Sequence, residues 1–423
     1  MAKSWEWVLE NRIMPPLVKA AQQRHMRAIR DGFFALLPVI ISGALFLLIA
    51  YPPVKALDAM VAPVRSKLLI PTSLTFDMLA LYVSFFIGFN LARTYDLNPI
   101  TGGIVALLSF LASVGTKSVD GVGTVLPLDY LGGRGIFGAV LLSLLAVEVI
   151  RLMKKYGLTF RFPDSVPPYV AEGFNALLPA MLMVTVVTLL TTWIGFNPHA
   201  LLGKVLAPLV VAGDSLWVVL ITTILWGLLV GVGIHAASVI YGVMAPIWLT
   251  AIAQNIDAVK AGAHIVPHIV NEPFFFNFVF LGGAGSTLPL VLLLLRSRSK
   301  QFQTIAKVAL VPNIFNINEP IEFGLPIVMN PLMIIPFTLA PVADALLAYF
   351  AMYFNLVPRP YLVMPWTMPP VLGAYLSTGG SLSAALLAVV GLVVAGAIYY
   401  PFIKMAERKA SDFADQGDAS AAA

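Results

Sequence analysis

No cysteine occurs in this chain, and charged residues are scarce. The first absence removes disulfides, thiolate metal sites and a cysteine nucleophile from consideration. The second is as informative. Asp, Glu, Lys and Arg make up 11% of the 423 residues, where soluble domains carry about 25%. Hydrophobic residues are 59% of the chain, and they gather into runs near the roughly 20 residues that cross a bilayer core of about 30 Å. Such runs lie at 33–51, 74–92, 136–153, 174–194, 216–234, 278–295, 325–354 and 382–403, with shorter or broken ones at 100–114, 239–253 and 308–317. The pattern predicts an all-α polytopic membrane protein of about ten transmembrane helices plus one or two re-entrant segments.

The net charge of +5 is no nucleic-acid footprint, because the basic residues sit in short patches between apolar runs. Arg12, Lys19, Arg24, Arg27 and Arg30 precede the first run; Arg151 lies at the end of the run at 136–153, and Lys154, Lys155 and Arg161 follow it. Arg296, Arg298, Lys300 and Lys307 follow Leu295, and Lys404, Arg408 and Lys409 come last. The positive-inside rule places all of these in the cytoplasm, with both termini inside and an even number of spans. The first thirty residues are too long and too charged for a cleavable signal sequence. Among the five histidines, His264 and His268 are four apart, which fits a shared helix face or a surface loop; no metal site is expected.

The chain changes character midway. Up to about residue 195, clean apolar spans alternate with short loops, and glycines such as Gly88, Gly102 and Gly138 permit close helix contacts. A proline-rich connection at 158–170 is a hinge candidate. Beyond Leu216, glycine, proline and polar residues interrupt the apolar runs. The expected division is a scaffold at 1–195, a transport half at 196–409 and a disordered polar tail at 410–423. Asn-Glu-Pro occurs twice, at 271–273 and 318–320, either as an internal repeat or as a coincidence of one tripeptide.

The segment 315–331 carries most of the functional signal. Glu319, Glu322, three asparagines and three prolines break an otherwise membrane-apolar run. Carboxylates and broken helical backbone survive at membrane depth mainly where they line a cavity. Glu319 reads as a hydrogen-bond acceptor for a polar solute, against a helix-capping carboxylate near a loop. Glu322, three residues on, shares its helix face or points to water. His235 ends the Gly-rich run 231–235, and its imidazole can bond a hydroxyl near neutral pH. Trp366, in Pro365-Trp366-Thr367, can stack on a sugar ring or anchor a membrane interface. Gly282–Leu288 lacks the lysine of a phosphate loop, and no cofactor is expected.

Together, Asp31-Gly32-Phe33-Phe34-Ala35-Leu36-Leu37-Pro38, Pro163 to Pro167, Gly233-Ile234-His235, Leu281 to Leu288, Ile317-Asn318-Glu319-Pro320-Ile321-Glu322-Phe323-Gly324-Leu325-Pro326 and Pro365-Trp366-Thr367 resemble a known family. It is the enzyme IIC permease of the bacterial phosphoenolpyruvate-dependent sugar phosphotransferase system, in its lactose/cellobiose/diacetylchitobiose branch. Relatives often have glycine where Ala236 follows Gly-Ile-His, and 270–277 departs from the family form. The resemblance implies a homodimer in the bacterial inner membrane, with a dimerising first half and two re-entrant hairpins around a β-linked disaccharide. It implies elevator-like movement, Glu319 and His235 as the catalytic contacts to the phosphorylated hydroxyl, and Asn318, Glu322 and Trp366 as further substrate-binding residues. The phosphoryl donor in this branch is a phosphocysteine on enzyme IIB; without cysteine here, IIB and IIA are expected as separate chains. An ion-coupled sugar symporter, with Glu319 as ion site, is the alternative.

Overall fold

The computed structural model describes residues 19 and 22–421, apart from 53, 54, 161, 164, 165, 326 and 329. Arg12 and Arg161 of the basic patches, Asp164 and Ser165 of the hinge candidate, and Pro326 of the signature run therefore lie outside the described residues. The only strands among the described residues are β1 (Lys117–Val119) and β2 (Gly123–Val125), a small antiparallel hairpin. The other regular elements among the described residues are helices. Among the described residues, seven helices are long and apolar enough to cross a bilayer, or up to eight if a pair bent by 70° counts as one span, with a shorter apolar helix besides.

The first span joins α1 (Arg24–Phe34) to α2 (Leu37–Ala50), and α3 (Leu79–Thr94), α4 (Pro99–Val114), α5 (Ile136–Lys155) and α6 (Pro168–Thr188) follow. α3 packs closely on α4 because both are glycine at the contact. A Cβ on Gly88 would stand 2.6 Å from the Gly102 carbonyl oxygen, and one on Gly102 would stand 2.7 Å from that of Gly88. α7 (Pro198–Gly213) and α8 (Leu216–Gly231) are the bent pair, and α9 (Ala236–Lys260) follows. Then come α10 (Thr287–Leu294), α11 (Lys300–Ile314), α12 (Glu319–Gly324), α13 (Pro331–Tyr353), α14 (Pro370–Ser377) and α15 (Leu382–Ala421).

The apolar runs and the helices differ at particular places. The apolar run at 278–295 is not one helix. A short helix at Glu272–Phe274 passes into a wide turn at Phe275–Val279; the chain then reverses through Gly282, Gly283, Gly285 and Ser286, all at positive φ, before α10 begins. Left-handed residues cannot continue a right-handed helix. The run at 325–354 becomes helical only at Pro331, where the Asn330 side chain accepts from Leu332 N–H. Conversely, the broken run at 239–253 belongs to a 25-residue helix, α9. Of the membrane-length helices α9 is the most enclosed, with 72% of its apolar window buried inside the protein. Hydropathy undervalues such a helix, since its polar groups are satisfied by protein. Asn255, for example, donates to the His268 and Pro360 carbonyls and accepts from His268 N–H.

α15 keeps helical backbone to Ala421, into the segment expected to be a disordered tail; no proline follows Pro401, and alanine favours helix. Residues 422 and 423 lie outside the described residues. α9 also joins the early and late parts of the chain. Tyr241 stacks on Phe34 with ring centroids 4.6 Å apart, and Lys260 Nζ donates to Asp77 at 2.6 Å. His264 and His268 share no helix: both lie in the loop after α9, where His268 meets Asp214 and Gln254.

Candidate functional site

A cavity of about 270 Å³ opens where α8, α9, α12, the glycine turn and the Trp366 loop converge. The five site residues expected from sequence (Glu319, His235, Asn318, Glu322 and Trp366) all line it, though they span more than a hundred positions of chain. Phe34, Trp226, Tyr241, Phe276, Phe280 and Phe323 supply an aromatic wall. An apolar, ring-lined hollow with a few polar groups at one end suits a ligand having both apolar faces and hydroxyls.

Each polar residue reaches the cavity for a local reason. His235 is the extended residue at the N-terminal end of α9, at φ −66° and ψ 100°. Its Nδ1 lies 3.1 Å from Ser238 Oγ, which orients the ring, while Nε2 has no partner among the described residues. Glu319 opens α12, where Pro320 fits the first turn because its missing N–H would be unpaired there anyway. Its carboxylate is exposed to the cavity and takes no hydrogen bond from the described residues. It is an open acceptor lining the same cavity as the open imidazole nitrogen.

Glu322 is more enclosed. Asn318 Nδ2 donates to its Oε1 at 2.8 Å and to the Ala284 carbonyl at 2.6 Å. Asn318, expected to bind substrate, spends its amide hydrogens on protein and holds α12 to the glycine turn. Gly283 is required at that contact, since a Cβ there would stand 2.6 Å from Asn318 Cγ.

Sequence reasoning missed Asn316. It sits at φ +60° and is 4% exposed. Its Oδ1 accepts from Gly282 N–H at 2.9 Å and Gly283 N–H at 3.2 Å. Its Nδ2 donates to the Trp366 carbonyl at 2.8 Å and the Met368 carbonyl at 3.1 Å. One side chain thus ties together the glycine turn, the signature run and the Trp366 loop. Asparagine tolerates left-handed backbone and offers both donor and acceptor, the one available signal, but its partners are distant in sequence. Glu272 was also passed over. It accepts from Tyr241 Oη at 2.5 Å behind the aromatic wall. Both Asn-Glu-Pro triplets open short helices, with Asn271 and Asn318 at the cap positions. Among the described residues no group of three or more His, Asp or Glu could hold a metal ion.

Residues 30–341 match the family described as phosphotransferase system, EIIC. The chain is 39% identical over 420 residues to the putative permease IIC component YwbA of Bacillus subtilis (strain 168), covering 94% of each chain. It is 36% identical to the PTS system cellobiose-specific EIIC component of Geobacillus stearothermophilus, covering 95% of this chain and 94% of the relative. The crystal structure of the transporter ChbC, the IIC component from the N,N'-diacetylchitobiose-specific phosphotransferase system, superposes with a TM-score of 0.89. That match is 35% identical and covers 95% of this chain and 98% of the other.

Proposed function

This chain belongs to the phosphotransferase system EIIC family, and from that premise we propose that it carries a β-linked disaccharide of the cellobiose or diacetylchitobiose type and presents it for phosphorylation. The observation that carries this reading is the cavity, in which Glu319 and His235 leave hydrogen-bonding atoms open beside an aromatic wall. A sugar has hydroxyls for the first and a C–H face for the second. Glu319 accepts from the hydroxyl to be phosphorylated, His235 Nε2 bonds the same hydroxyl, and Trp366 stacks on a ring. Asn318 acts through Glu322 and the glycine turn, and Glu322 contacts the sugar from the same helix.

The phosphoryl group comes from the phosphocysteine of a separate enzyme IIB, charged in turn by enzyme IIA. Phosphorylation makes uptake one-way, since the anion does not recross the bilayer. The protein works as a homodimer in the bacterial inner membrane, both termini cytoplasmic. Residues 1–195 form the scaffold, and 196–409 form a transport half that moves as an elevator. The chain reversal at 272–294 serves as one of its two re-entrant hairpins, and the broken segment 315–331 lies in the other.

Proteoliposomes containing the purified protein test this. Supplied with phosphoenolpyruvate and the phosphorelay proteins on the inside, they are expected to accumulate cellobiose phosphate. Accumulation of unmodified cellobiose on an ion gradient alone would decide for the symporter instead.

His235→Ala is expected to weaken disaccharide binding by about 1–3 kcal/mol, the range for losing a buried hydrogen-bond partner. A 6-deoxy analogue lacks the hydroxyl assigned to His235, so it should bind the wild type poorly and lose little further affinity in the variant. Comparing natural and deoxy sugar against both proteins measures the coupling. Additive losses would move His235 away from that hydroxyl.

A further inference from the structure

Behind the glycine turn lies a carboxyl group that the proposed reaction does not use. Asp344, on α13, is 1% exposed, and its Oδ1 has no hydrogen-bond partner among the described residues. No ion pair is formed with it among the described residues. α15 closes over it at Gly391, where an added Cβ would stand 3.2 Å from Oδ1. An ionised carboxylate with one hydrogen bond and no cation is very costly in such surroundings.

Counting protons sharpens the point. Ser286 Oγ lies 2.6 Å from the Val279 carbonyl oxygen and 2.7 Å from Asp344 Oδ2, and accepts from Leu281 N–H at 3.4 Å. A serine hydroxyl has a single proton, and a carbonyl can only accept. If Ser286 gives its proton to Val279, the second short contact is a hydrogen bond only when Asp344 supplies the other proton. If Ser286 gives it to Asp344, the Val279 carbonyl faces an oxygen lone pair at 2.6 Å, and the buried charge keeps its one bond. Only the first arrangement satisfies both contacts.

We propose that Asp344 is a neutral carboxylic acid whose O–H fixes Ser286, and through it the glycine turn that lines the cavity. It is a positioning residue for ligand binding, an assignment that rests on this cavity being the sugar site. Ser286 needs such a hold because it is a non-glycine residue at φ +53°. The turn it ends places Gly283 and Ala284 in the cavity wall, and the Ala284 carbonyl receives Asn318, which also holds Glu322. Tyr399 Oη, on α15, donates to the Gly285 carbonyl at 2.6 Å and fixes the same turn from the other side. The line of contact therefore runs from Asp344 through Ser286 and the turn to Asn318 and Glu322.

Two measurements on the purified full chain test this. In the infrared, the difference between wild type and Asp344→Asn should contain the carbonyl band of a protonated carboxyl group, present in the wild type at neutral pH. Its absence overturns the proposal, whatever ligand the cavity takes, so this arm stands apart from the sugar reading. In cellobiose binding, Asp344→Asn should stay near the wild type, because its amide N–H still donates to Ser286. Asp344→Ala and Ser286→Ala should each lose at least about tenfold in affinity, and the double variant little more than the worse single one. An Asp344→Asn protein as weak as Asp344→Ala would show that the negative charge is what matters. Wild-type affinity in Asp344→Ala would remove the positioning role. Either result overturns the assignment.

Discussion

Glu319→Gln is expected to abolish sugar phosphorylation while leaving folding intact and reducing binding far less. Glu319 is exposed to the cavity and takes no hydrogen bond from the described residues, so an amide of the same size fits without disturbing α12. Glutamine still donates and accepts hydrogen bonds to a sugar. It is a poor proton acceptor, however, and a hydroxyl attacking a phosphoryl group must shed its proton. General-base assistance is typically worth about 10²–10⁴-fold. Phosphoryl transfer from charged IIB to cellobiose, measured beside equilibrium binding, separates the two effects. Undiminished transfer in a folded Glu319→Gln protein would remove Glu319 as base or orienting acceptor.

Asn316→Ala should have the largest effect on stability. The substitution leaves the Gly282 and Gly283 N–H groups and the Trp366 and Met368 carbonyls without the partner they now share. Each buried group left unpaired costs about 1–3 kcal/mol, so the sum is at least about 3 kcal/mol after relaxation. Alanine is also a poor occupant of φ +60°. Thermal unfolding in detergent should fall by many degrees, and disaccharide binding should be lost with it. Asn316→Gly relieves the backbone but restores no hydrogen bond, and should rescue little. Asn316→Asp keeps the acceptor for Gly282 and Gly283 while placing carboxyl oxygen against two carbonyls, and should fall between. Wild-type stability and binding in Asn316→Ala would show that the three segments are held together by something else.

Much of the site was legible in the sequence because membrane burial makes polarity expensive. Glu319, Glu322 and His235 stand out in apolar surroundings, and the glycines and prolines near them break helices by known backbone rules. Asn316 did not stand out, although it lies three residues before Glu319. What sets it apart is the set of partners it reaches, at Gly282 and Trp366, and no local pattern encodes those. Asp344 carries no local signal for the same reason, since only packing brings Ser286 and Gly391 against it.

The sequence by itself determined that this chain lives in a bilayer, that its later part is interrupted, and which polar groups line the cavity. These follow from composition and from local rules of helix and turn. Tertiary structure alone decided that α9 is an inner helix rather than a weak one, and that 278–295 reverses at a glycine turn instead of crossing. It also decided that the Asn318 amide donates to the Ala284 carbonyl and Glu322. In each case the deciding quantity is which distant groups satisfy a buried donor or acceptor. That is settled only when helices far apart in the chain meet.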